Sequence, residues 1–107
     1  VHRIEGIGDD FIPSIVDKSL IDEVVLVDDE DAINMSRILS KKFGLGVGIS
    51  SGANLLAAAV SGNDNENIVT VFADDSKKYL TTDLQKDINL DSCLMSNKLE
   101  IVSIEYV

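Results

Sequence analysis

A chain of 107 residues, 45% of them hydrophobic, has material for one small aliphatic core, alone or inside a larger protein, and is not a disordered segment. Its 19 acidic against nine basic residues give a net charge of −10, and the basic ones are scattered, which excludes a general DNA- or RNA-binding surface. A single cysteine excludes an internal disulfide and fits a reducing cytoplasm, while no apolar run reaches the roughly 20 residues that span a bilayer, so no membrane partner is expected.

From the N-terminus, VHRIEGIGDDFIP reads as a glycine-rich loop closed by the only proline, Pro13. A connecting stretch, Ser14 to Asp22, follows it. EVVLV, Glu23 to Val27, is β-branched and almost uninterrupted, the pattern of a strand covered on both faces. DDEDAINMSRILSKKFG carries helix signals at both ends: Asp28 or Asp29 as cap, acids in the first turn, Lys41 and Lys42 in the last, and Gly44 as terminator. Ala32, Met35, Ile38 and Leu39 fall on one stripe of that helix.

A second helix is predicted behind GISSG, with serine at its cap and its end near Gly62. Its run ANLLAAAV has no polar face, so it is expected to be covered on most sides. A domain this small has few elements to cover it, and that, with the start at Val1, leads us to expect a piece of a larger protein. NIVTVFA, Asn67 to Ala73, reads as another buried strand. The tail KLEIVSIEYV alternates imperfectly through Leu99, Val102, Ile104 and Tyr106, which suggests an edge strand. Strand, helix, helix and strand in this order indicate an α/β fold with at least partly parallel pairing.

Three motifs could carry chemistry. VVLVDDEDA, an apolar strand ending in paired aspartates, resembles the opening of a response-regulator receiver domain, with Asp74 at a plausible later position. The same acids serve equally as a cap and first-turn charges. GIG at Gly6 to Gly8 is either a tight turn or a backbone wall against a ligand. GISSG is a helix N-terminus, which also suits an acceptor or anion, and four glycines between Gly44 and Gly52 suggest that something approaches the backbone closely. The only histidine, His2, has no placed partner, Cys93 has no activating neighbour, and metal-ligand spacing is absent. Most hydrolase chemistries are thereby removed.

Taken in order, these motifs resemble the C-terminal part of a cysteine synthase (O-acetylserine sulfhydrylase), in the pyridoxal-phosphate fold-type II family that includes cystathionine β-synthase. HRIEGIGDDFIP is similar to the family's His-Lys/Arg-Ile-x-Gly-Ile-Gly-x-x-Phe-Ile-Pro segment. IDEVVLVDDEDAINMSRILSKKFGLGVGISSGANLLAA resembles its strand, helix and Gly-Ile-Ser-Ser-Gly-Ala block. IVTVFADDSKKYLTTDL resembles its Val-x-Pro-Asp-Ser block and the Tyr-Leu-Ser/Thr-Thr that follows. The likeness covers residues 1–84; residues 85–107 form a C-terminal extension that it does not place.

The resemblance implies part of the larger, C-terminal three-layer α/β/α domain of a tryptophan synthase β-like fold. It implies pyridoxal 5'-phosphate in the full-length parent, bound at Ser50, Gly48 and Asp74, with the Ser50 hydroxyl on the pyridine nitrogen and the neighbouring glycines leaving room for the ring. Gly6, Ile7, Gly8 and Asp9 would line the substrate side. The parent would make L-cysteine from O-acetyl-L-serine and sulfide by β-replacement through an aminoacrylate, as a cytoplasmic homodimer acting on small amino-acid substrates, with no metal and no nucleic acid.

This chain departs from the pattern at Asp9 and Asp10, where sulfhydrylases carry Ala-Gly, and at Ala73 and Asp75, where they carry Pro and Ser. A cystathionine β-synthase-like or desulfhydrase activity therefore stays open. The family's Schiff-base lysine, substrate loop and phosphate cradle lie upstream of the matched motifs, so no catalytic residue is expected in this chain, and it is expected to be inactive alone.

Overall fold

The structure, a computed structural model, describes residues 14–62, 66–75, 88, 90, 91 and 93–105. The GIG loop with Gly6, Ile7, Gly8 and Asp9, the proline that closes it, and the boundary expected after residue 84 lie outside the described residues.

Two helices form its centre. Helix α1, Asp29–Phe43, starts where the sequence signals put it: the Asp28 carboxylate accepts the Glu30 amide at 3.3 Å, and Asp29, Glu30 and Asp31 fill the first turn. It stops at Gly44, whose φ of 69° is left-handed and whose amide donates to the Ser40 carbonyl at 3.1 Å. A Cβ on Gly44 would meet nothing within 4 Å, so its cost is conformational alone. Gly44→Ala is expected to destabilise the protein by about 1–2 kcal/mol in urea unfolding, and Gly44→Asn by visibly less.

The expected stripe of Ala32, Met35, Ile38 and Leu39 is buried, but the burial goes further. Every residue from Asp31 to Leu39 is buried, including Asn34, Ser36 and Arg37. Helix α1 is thus a central element enclosed on all sides from Asp31 to Leu39.

Helix α2, Ile49–Ser61, packs against α1 through Ile49, Ser51, Gly52 and Leu56. One cluster joins Ala32, Ile33 and Ile49 with Val27 and Ala53; a second joins Met35, Ile38, Leu39 and Leu56 with Leu45, Val47, Leu99 and Ile101. Among the described residues its cover is partial: Ala59 and Val60 are exposed, Val60 by 55%.

The tail is held by polar contacts that no periodicity announces. A short 3₁₀ helix, Met95–Asn97, sits against the N-terminal half of α1. The Asp31 carboxylate accepts the Met95 amide at 2.8 Å and the Ser96 amide at 2.7 Å. The Asn34 amide group donates to the Ser96 hydroxyl at 3.0 Å and to the Asn97 side-chain oxygen at 3.2 Å. Beyond it, Leu99 and Ile101 join the core, whereas Val102 is 89% exposed, so the inward residues differ from those of the edge strand expected there.

No β-ladder is present among the described residues, where the only bridge pairs Val47 with Asp75. The two stretches expected as buried strands present apolar side chains outward, Leu26 at 92% and Val69 at 93% exposure. Composition set their apolar character, but a strand exists only where a neighbouring strand accepts its backbone bonds. At the N-terminal side, the Asp17 carboxylate caps a second 3₁₀ helix, Lys18–Leu20; hydrogen bonds from the Ser19 hydroxyl and amide lower its pKa below the ordinary aspartate range.

Candidate functional site

The start of α2 is built differently from the serine-capped turn that its sequence suggests. Gly48, not a serine, is the N-cap, and no side chain makes a capping bond. Ser50 and Ser51 lie inside the first turn. Ser50 is half-buried; Ser51 is fully buried, and its hydroxyl has no hydrogen-bond partner among the described residues. Sequence reasoning did not single out Ser51 by itself.

The glycines around the serines do not share one purpose. A Cβ on Gly52 would overlap the Ala32 carbonyl oxygen and the Ser36 hydroxyl and come within 3.0 Å of the Ser36 amide nitrogen. What approaches the backbone closely at Gly52 is therefore α1. Gly62 serves the opposite end in the same manner, since the Ile68 side chain fills the space its Cβ would take.

Residues 68–75 run back along α2, from Ile68 beside Gly62 to Asp74 beside Gly48. On the way, the Asn54 amide group donates to the Val71 carbonyl at 2.8 Å. At the end, the Gly48 amide donates to the Asp74 carbonyl at 3.0 Å, next to the Val47–Asp75 bridge. Gly48, Ser50 and Asp74, which lie up to 26 positions apart in the chain, are thus brought to one corner by a backbone bond. The Asp74 side chain is only half-buried there.

Sequence reasoning also missed Ser36. This fully buried serine reaches from α1 to that corner, its hydroxyl 2.7 Å from the Gly48 carbonyl oxygen. A serine in the middle of a helix carries no signal of such a role in its spacing.

Among the described residues no group of three or more His, Cys, Asp or Glu side chains could hold a metal ion. Nor is any described helix long and apolar enough to cross a membrane. Two cavities among the described residues, about 230 and 250 Å³, lie between α1 and the tail and beside Val25–Val27, and Ser50 lines neither.

No protein-family model matches the chain. Cysteine synthase B of Campylobacter jejuni is 49% identical over 85 residues, 78% of this chain and 28% of that protein. The O-acetylserine dependent cystathionine beta-synthase of Bacillus subtilis is 46% identical over 83 residues, 75% of this chain and 27% of that protein. Cysteine synthase A of Escherichia coli K12 is 40% identical over 91 residues, 81% of this chain and 28% of its own length.

Among solved structures, the hydrogen sulfide-producing enzyme of Fusobacterium nucleatum matches with a TM-score of 0.82 and 47% identity, over 100% of this chain and 34% of that one. The chain therefore spans little more than a quarter of the curated relatives it matches. Forty to 49% identity over most of its length, with a shared fold, makes it a homologue of one segment of the cysteine synthases, within the pyridoxal-phosphate enzymes of fold type II.

Proposed function

We propose that this chain works as the cofactor-ring segment of a longer, pyridoxal 5'-phosphate-dependent enzyme that makes L-cysteine from O-acetyl-L-serine and sulfide. The observation that carries the reading is the corner formed by Gly48, Ser50 and Asp74, in a chain 49% identical to a cysteine synthase over 85 residues. The residues present suit a pyridine ring. Because Gly48 caps α2 without a side chain, the Ser50 hydroxyl has no capping duty, and it is half-open at the helix start.

When bound, pyridoxal 5'-phosphate supplies the electron sink that lets a β-substituent leave an amino acid and be replaced. Ser50 keeps its proton and donates it as a hydrogen bond to the ring nitrogen. A neutral hydroxyl there does not force that nitrogen to become cationic, as a carboxylate would. Gly48 and Asp74 fix the turn that carries Ser50. Gly6, Ile7, Gly8 and Asp9 contact the amino-acid substrate. The lysine that anchors the cofactor belongs to the rest of the full-length protein, and the working enzyme is a cytoplasmic homodimer.

Two substitutions in the full-length protein test this assignment. Ser50→Ala is expected to weaken pyridoxal 5'-phosphate binding about tenfold in equilibrium dialysis, the value of one hydrogen bond to a desolvated acceptor. Ser51→Ala is expected to leave that affinity within about twofold. If the two variants exchanged these effects, the ring nitrogen would belong to Ser51.

The similarity to a hydrogen sulfide-producing enzyme and to an O-acetylserine dependent cystathionine beta-synthase favours a second reading, with cysteine as substrate or homocysteine as nucleophile. Amino-acid products from the full-length protein given O-acetylserine with sulfide, O-acetylserine with homocysteine, or cysteine alone separate the three. L-Cysteine as the main product of the first mixture is the expected result.

A further inference from the structure

The Ser36 hydroxyl lies 2.7 Å from the Gly48 carbonyl oxygen and 3.1 Å from that of Ala32. A hydroxyl has one proton to donate. The Ala32 carbonyl, four residues earlier in α1, is the helical acceptor for the Ser36 amide, and its contact with the hydroxyl is the longer of the two. The proton therefore goes to Gly48. That carbonyl has little else: the first intrahelical bond of α2, from the Gly52 amide, is stretched to 3.4 Å. On its other side Gly48 donates its amide to the Asp74 carbonyl at 3.0 Å. The residue that begins α2 is thus held at both main-chain groups, by α1 through Ser36 and by the 68–75 segment through Asp74. The missing side chain of Gly52 lets the two helices come close enough for this.

We propose that Ser36 is a positioning residue, which through the Gly48 carbonyl sets the pose of the first turn of α2 and hence of the Ser50 hydroxyl toward the cofactor ring nitrogen. The inference rests on the assignment of Ser50 made above. Without the Ser36 proton, the Gly48 carbonyl keeps only the stretched bond from the Gly52 amide, and the turn can tilt about its Asp74 contact while both helices remain folded.

A double-mutant cycle on the full-length protein tests it. Parent, Ser36→Ala, Ser50→Ala and the double variant are stripped of cofactor, and the dissociation constant for pyridoxal 5'-phosphate is measured for each, beside the unfolding midpoint of the apo form. Ser36→Ala is expected to weaken binding threefold to tenfold, and the double variant to bind no more weakly than Ser50→Ala alone, because Ser36 acts only through Ser50. Parent-like affinity in Ser36→Ala overturns the proposal. So does an equal loss in both backgrounds, which is what a merely structural serine would give.

Unchanged affinity in Ser50→Ala overturns the underlying assignment, and the proposal with it; that outcome is read from the single variant alone. If Ser36→Ala is not recovered folded, Ser36→Cys, near in volume with a weak S–H donor, goes through the same cycle and is expected to lose part of the affinity.

Discussion

Gly52→Ala is expected to destabilise the protein by about 2–3 kcal/mol, although alanine is the better helix former. Two effects of opposite sign compete at this position. Replacing a mid-helix glycine by alanine ordinarily adds about 0.5–1 kcal/mol, because glycine loses more backbone freedom on folding. Here the added methyl group would enter space already held by the Ala32 carbonyl oxygen and the Ser36 hydroxyl. The first of these is helix backbone inside an enclosed element and cannot turn aside, so the two helices must separate, loosening the contacts of Ile49 and Leu56 with α1. Overlap therefore outweighs propensity. Urea unfolding of the full-length protein and its variant decides the matter: a Gly52→Ala midpoint at or above the parent's would mean that the helices do not approach as closely as described.

Asp31→Ala is expected to cost about 2–4 kcal/mol, from two charge-assisted hydrogen bonds lost together and from one buried amide left unpaired. The carboxylate is nine-tenths buried and accepts the Met95 and Ser96 amides at 2.8 and 2.7 Å. The loss has a ceiling, because the 93–101 segment can come away from α1 and let water meet its amides. That detachment is itself observable as faster amide exchange at Met95 and Ser96, with Asp31→Asn giving nearly the same result. An asparagine offers one acceptor in place of two and turns a competing donor toward an amide. Unchanged exchange at both amides in Asp31→Ala would show that Asn34, Leu99 and Ile101 hold the tail without Asp31.

These two positions also show what the chain discloses before it is folded. Helix α1 was legible at both ends because its signals are local: Asp28 bonds an amide two residues away, and Gly44 turns the chain within one residue. Helix α2 was legible in extent but not in its cap. A serine near a helix start favours the capping position, yet Gly48 takes it, since Ser36 and the Asp74 carbonyl already hold that residue. The anchoring of the tail was not legible at all. It joins residues 62 to 65 apart by polar side chains, and a polar contact of that range leaves no period in either partner. The apolar runs at 23–27 and 67–73 were legible as composition, while pairing depends on strands elsewhere. The corner of Gly48, Ser50 and Asp74 was legible only through likeness to known enzymes, because neither spacing nor charge links a glycine to an aspartate 26 positions away.

The anchored turn has a practical consequence. Cys93, the only cysteine of this chain, is exposed two residues before Met95, and its amide is tied to the Asp91 carboxylate at 2.9 Å. A maleimide dye attached there would sit at the start of the docked segment, outside the nine successive buried residues of α1. Fluorescence anisotropy of that dye would follow undocking directly in solution. This chain thus carries its own attachment point for watching a contact that its sequence conceals.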